Sequence, residues 1–115
     1  MIDIARDPVG IDLEAYKNRQ KAIFENKVKH GFNVTDPYKE VRYMMEEVAE
    51  LMRAIENGDK QNISEELADI VIFAYGLAEV TQSGDLDKTI FEKMEENRNR
   101  VYTVNKDGDF VKIKA

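Results

Sequence analysis

Cysteine is absent from this 115-residue chain, which removes disulfides, thiolate zinc sites, iron–sulfur clusters and a cysteine nucleophile. Histidine occurs once, as His30. That is too few for the paired Glu-x-x-His motifs of di-iron or di-manganese carboxylate bundles, and beside Gly31 it reads as a helix-end residue. Proline occurs twice and glycine six times, a globular composition and not a disordered or fibrous one. Long apolar runs are missing: the longest, Ile70 to Ala78, is far short of the roughly 20 residues of a membrane span. The opening MIDIARDPVG lacks the basic and apolar regions of a secretory leader, so a cytoplasmic location is the expectation. A basic surplus is missing too. The net charge of −6 argues against a nucleic-acid polymer as partner, because counterion release needs an excess of Lys and Arg. In Asn105-Lys106-Asp107-Gly108-Asp109 the glycine comes two places too early for a calcium-binding loop.

What remains is 43% apolar and 35% charged, enough for one compact domain over residues 1–115. Four helical stretches are expected. Asp12 opens the first, with Leu13, Tyr16, Gln20, Ile23 and Phe24 on one face and the His30-Gly31 turn at its end. Asp36-Pro37 opens the second, because Asp accepts orphan N–H groups and Pro is preset at the first helical position. Its stripe is Val41, Met44, Met45, Val48, Leu51, Met52 and Ile55, ending at Asn57-Gly58. Asn62 with Glu65 resembles a capping box opening the third, which runs to about Ser83-Gly84 and is apolar on nearly every side, as a buried central element would be. Asp85 opens the fourth, carrying Ile90, Phe91, Met94 and Val101. The tail alternates about Asp107-Gly108, the pattern of a small hairpin. The expected class is all-α, four-helix bundle-like.

The acidic surplus is local. Between Glu40 and Asp69 stand nine of the 23 acids and three of the 17 bases, leaving fourteen of each elsewhere. Glu47 and Glu50 are three apart on the second helix, Glu66 and Asp69 three apart on the third, so each pair shares a helix face. At 100° per residue Glu66 and Asp69 fall in the arc of Phe73, Leu77 and Val80, while Glu47 flanks the stripe beside Leu51 and Glu46 points to solvent. The short Asn57–Gln61 loop forces an antiparallel pair of helices. Glu50 and Asp69 each lie about 10 Å from the loop end, so the two pairs meet across the interface. Four half-buried carboxylates repel one another unless protonated or paired. A hard divalent cation, Mg²⁺ or Mn²⁺, resolves that repulsion and brings an anionic substrate with it. Lys93, Asn97 and Arg100 recur at i, i+4 and i+7 on the fourth helix, a face suited to a polyphosphate.

Glu46-Glu47-Val48-Ala49-Glu50-Leu51, Glu65-Glu66-Leu67-Ala68-Asp69-Ile70 and the run from Lys93 to Arg100, taken in order over residues 36–102, resemble the MazG-like nucleoside triphosphate pyrophosphohydrolases of the all-α NTP pyrophosphatase superfamily. The resemblance implies Mg²⁺-dependent cleavage of an NTP or dNTP between its α and β phosphates. It also implies Glu47, Glu50, Glu66 and Asp69 as metal ligands and catalytic residues, and Lys93 and Asn97 as substrate contacts with Arg100 as companion. Phe24 and Phe32 are candidates for base stacking, and the assembly implied is a homodimer or a dimer of such dimers. No side-chain nucleophile is needed; one of the four acids, or Glu46, would serve as general base. The competing reading is a non-catalytic acidic helical module that docks a basic protein. The all-round apolar third helix calls independently for subunit association.

Overall fold

A computed structural model describes residues 18–113. The first helix's start, with Asp12, Leu13 and Tyr16, lies outside the described residues. Within them run α1 (Arg19–Lys29), α2 (Pro37–Glu56), α3 (Lys60–Val80), α4 (Leu86–Asn99), β1 (Val101–Val104) and β2 (Phe110–Ile113). The all-α expectation is met, and the hairpin is present as a two-stranded antiparallel sheet. The chain divides into two units, one ending at Gly84 and the other starting at Asp85.

In the first unit the helix boundaries follow from local chemistry. The Asp36 side chain accepts from the backbone N–H groups of Tyr38 and Lys39 at 3.0 and 3.3 Å, with Pro37 at the first position of α2. The helix ends at Asn57, where Gly58 takes a positive φ of 64° that an L side chain disfavours. Asp59 follows at once and caps α3, its carboxylate accepting the Asn62 N–H at 3.1 Å. This corrects the expected start: the chain turns so tightly after Gly58 that the cap falls on Asp59, and Asn62 is already inside the helix. At the far end the Thr81 hydroxyl donates to the Leu77 carbonyl at 2.6 Å.

Glu47 lies opposite Glu66, and Tyr43 opposite Phe73 with ring centroids 6.3 Å apart. Rising numbers on α2 therefore meet falling numbers on α3, and the pair is antiparallel. Antiparallel to α3 also runs α1, with the Gln20 amide donating to Glu79 at 3.0 Å and the Lys27 stem passing Gly76. A Cβ on Gly76 would sit 3.3 Å from the Lys27 Cδ, so the glycine makes room for a lysine. Lys27 and Glu40 form a buried ion pair, 8% and 2% exposed, with the ammonium 5.3 Å from the centre of the Phe73 ring. One charge pair thus ties three helices together.

The third helix departs from expectation. It contacts both neighbours, but only Glu66, Tyr75, Gly76 and Ala78 on it are buried. Leu67, Val71 and Ile72 stay about half exposed, since two helices cannot cover an all-round apolar cylinder. On α2 the expected stripe splits in two. Met44 and Leu51 turn inward with Glu40, Glu47 and Ala54, whereas Val41, Met45, Val48, Met52 and Ile55 form an exposed apolar row.

In the second unit Asp85 caps α4, accepting from Asp87 and Lys88 N–H at 3.0 and 3.3 Å. The helix stops at Asn99 because Arg100 turns extended, so Val101, expected on the helix, begins β1 and pairs with Ile113. The hairpin turn is held by Asn105, whose side chain accepts from the N–H groups of Asp107 and Asp109, both at 3.0 Å.

Candidate metal centre

Residues 40, 44, 47, 51 and 54 are spaced by fours and threes along one face of α2, and this face packs on α3. Midway along it stands Glu47, half-buried, facing Glu66, which is buried on α3, and Asp69, which is exposed one turn further on. One carboxylate oxygen from each of the three lies within 4.8 Å of the others. The wheel placed Asp69 in apolar company with Glu66. The structure corrects that: Asp69 is exposed, although its carboxylate reaches Glu47 and Glu66.

The electrostatics of the cluster are those of an anion crowd without a counter-charge. Oε2 of Glu47 and Oε2 of Glu66 are both buried with no hydrogen-bond partner among the described residues. Glu47 is pushed up from its ordinary 4.5 to about 7. The foremost cause is a side-chain hydrogen bond with the Glu66 carboxyl; burial follows, then the negative charges of Glu50, Glu66 and Asp69. A buried carboxylate oxygen with nothing to accept from costs free energy, on the order of 1–3 kcal/mol or more for a charged group. Protonation relieves part of that cost at low pH, and a dication relieves it at neutral pH. Three to four hard oxygen donors from two rigid helices suit Mg²⁺ or Mn²⁺ and leave positions open for substrate oxygens.

Of the four acids singled out, the structure thus gathers three. Glu50, half-buried one turn beyond Glu47, is outside the trio of close oxygens, although its charge is felt at Glu47. Glu46 is exposed, as expected. His30 is an exposed helix-end residue stacked on Phe32, ring centroids 5.6 Å apart.

The basic and polar residues belong to the second unit, where the structure brings Lys93, Asn97 and Arg100 into one network. Lys93 Nζ lies 3.6 Å from Glu96 Oε2, and Arg100 Nη2 lies 3.2 Å from the same oxygen. Arg100 Nη1 donates to Asn97 Oδ1 at 2.9 Å, and the Tyr102 hydroxyl donates to that oxygen at 3.3 Å. Arginine can only donate, so the Asn97 atom facing it is its oxygen. Glu96 carries no signal in the sequence, being a helix acid among many, and the contact of Tyr102 with Asn97 forms only across the helix end.

Sequence reasoning also missed the Lys27–Glu40 pair. Two signals were available, namely that Glu40 lies seven residues before Glu47 on the same face, and that Gly76 interrupts an apolar helix where only a close approach needs it.

A family model described as the MazG nucleotide pyrophosphohydrolase domain matches residues 36–102, more than half of the chain. No curated protein and no solved structure matches it.

Proposed function

The chain belongs to the MazG nucleotide pyrophosphohydrolase family, and from that premise we propose that it hydrolyses a nucleoside triphosphate, ribo or deoxy, between the α and β phosphates. One water is consumed, and a nucleoside monophosphate and pyrophosphate are released. The observation that supports this reading is the trio of carboxylate oxygens within 4.8 Å, two of its residues having a buried oxygen without partner. A dication would satisfy such a cluster at neutral pH.

Glu47, Glu66 and Asp69, with Glu50 beside them, would hold Mg²⁺, or Mn²⁺ in its place. A bound dication supplies Lewis acidity, lowering the pKa of water and stabilising charge on the pyrophosphate leaving group. The half-buried setting of Glu47 and the buried one of Glu66 would keep their charges poorly screened, which raises the affinity for a dication over that of a surface patch. Asp69, exposed, is the member open to solvent and hence to substrate and water. Lys93 and Asn97 would contact the phosphates, Arg100 accompanying them. The role is removal of unwanted nucleotides from the cytoplasmic pool. Among the described residues no helix is long and apolar enough to cross a membrane.

The exposed row from Val41 to Ile55, and Leu67, Val71 and Ile72 on α3, support assembly into a dimer or a dimer of dimers, because exposed apolar rows of this kind mark interaction surfaces. The test of the whole reading is a pyrophosphate-release screen over canonical and modified nucleotides with Mg²⁺, run beside Asp69→Asn. Release by the natural chain and none by the variant, both folded, is the expected result. No release with any nucleotide or metal, together with a basic protein recovered as partner, would establish the non-catalytic module instead.

A further inference from the structure

The donors of the second unit are not waiting empty. Lys93 and Arg100 lean on a single oxygen of Glu96, three residues after one and four before the other, at 3.6 and 3.2 Å. Beside them Asn97 has its oxygen committed twice, to Arg100 and to Tyr102 of β1. Its NH₂ group is thereby the half that remains to donate. The arrangement is a cationic face around one carboxylate oxygen, much as a phosphate oxygen would be surrounded. It is open to water: the side chains of Lys93 and Glu96 are 63% and 52% exposed.

We propose that Glu96 is an internal counter-ion that occupies the place of a substrate phosphate, holding Lys93 and Arg100 in position and giving way when a polyphosphate arrives. This rests on the reading of Lys93, Asn97 and Arg100 as phosphate contacts. Three physical points support it. Both cations converge on one oxygen, so a single displacement frees both. Exposed ion pairs are weak, so the displacement costs little. Finally, Arg100 stays anchored to Asn97 through its other nitrogen, and Asn97 to the hairpin through Tyr102, so the face keeps its shape when Glu96 leaves. The hairpin thereby acquires a use, because the strand that carries Tyr102 orients the Asn97 amide.

A structural ion-pair partner and a competing counter-ion predict opposite effects of neutralisation. Glu96→Gln keeps size and shape and removes the competing charge, so it is expected to lower KM for the nucleotide about threefold to fivefold with kcat within about twofold. It should tighten inorganic tripolyphosphate binding, measured by calorimetry, by the same factor, and the gain should shrink at high salt. Glu95→Gln is the control. It changes net charge equally, but Glu95 pairs with Arg98, so its effect should stay well below that of Glu96→Gln.

A KM or tripolyphosphate affinity that is unchanged or worsened in Glu96→Gln, or improved equally in Glu95→Gln, overturns the proposal. If the natural chain turns over no nucleotide, the hydrolase reading fails, while tripolyphosphate binding still decides the role of Glu96. Tightening by Glu96→Gln sustains it, and no binding to either protein overturns it.

Discussion

Two groups of charge sit seven residues apart on the same face of α2, and they are built oppositely. At Glu40 the chain brings its own counter-ion, Lys27, between Gly76 and the Phe73 ring. At Glu47 it brings two more anions, Glu66 and Asp69. Both lie at helix interfaces, and both take charge from water. The first is complete in the chain and ties α1 to α2, whereas the second gathers like charges with two buried oxygens that have no hydrogen-bond partner among the described residues. Like charges gathered at an interface cost stability, and on the proposed reading that cost is borne for a bound cation.

If that contrast is right, neutralising one residue at each place has opposite consequences. Asp69→Asn or Glu66→Gln should cut pyrophosphate release by about a thousandfold or more, or roughly 4 kcal/mol of transition-state stabilisation. In chelator Glu66→Gln should leave melting unchanged or raised, and the Mg²⁺-induced rise in Tm should disappear. Lower melting of the metal-free variant would break the comparison.

Lys27→Met should do the reverse. It leaves Glu40 buried without a partner and should cost about 3–5 kcal/mol in denaturant unfolding, while Lys27→Met combined with Glu40→Leu should recover most of it. Recovery in the double variant separates an unpaired charge from mere loss of packing.

A smaller effect is the pH dependence of the cluster. In the folded, metal-free chain Glu47 keeps its proton up to about pH 7, whereas unfolded it releases it near its ordinary 4.5. The folded state therefore binds the extra proton between those values, and Glu47's contribution to stability falls as pH rises through that window. Melting in chelator from pH 4.5 to 8, read as the difference between the natural chain and Glu47→Gln, should show this decline. Mg²⁺ affinity should rise over the same range, since the cation displaces that proton.

The smallest effect concerns Gly76→Ala, which should alter stability by under about 1 kcal/mol, because the gain in helix propensity is offset by pushing the Lys27 stem aside. In a chain already carrying Lys27→Ala the same change should stabilise by about 1 kcal/mol. Equal effects in both backgrounds would show that Lys27 does not need the glycine.

Much of this was legible before any coordinates. The Asp36-Pro37 start, the Asn57-Gly58 stop and the spacing of Glu47, Glu66 and Asp69 are local signals, and a short loop turns them into an antiparallel contact. What escaped is what needs a third element. Glu40 looks like any acid in an acid-rich helix until α1 brings Lys27 against it. Asp69 looks buried on a wheel that groups it with Phe73, Leu77 and Val80, and in the structure it is exposed. Asn62 with Glu65 has the pattern of a cap, but Asp59, in the turn itself, takes that role. Glu96 became informative only once Lys93 and Arg100 were seen to share its oxygen.

The uncovered row on α2 deserves a last consideration. Residues 41, 45, 48, 52 and 55 step by four and three, a repeat of 3.5 against the 3.6 of a straight helix, so the seam drifts by about 20° every seven residues. A rod laid along it stays in register only by winding left-handed around α2 at about 20°. The pitch of any such embrace is thus written in the intervals between five exposed side chains.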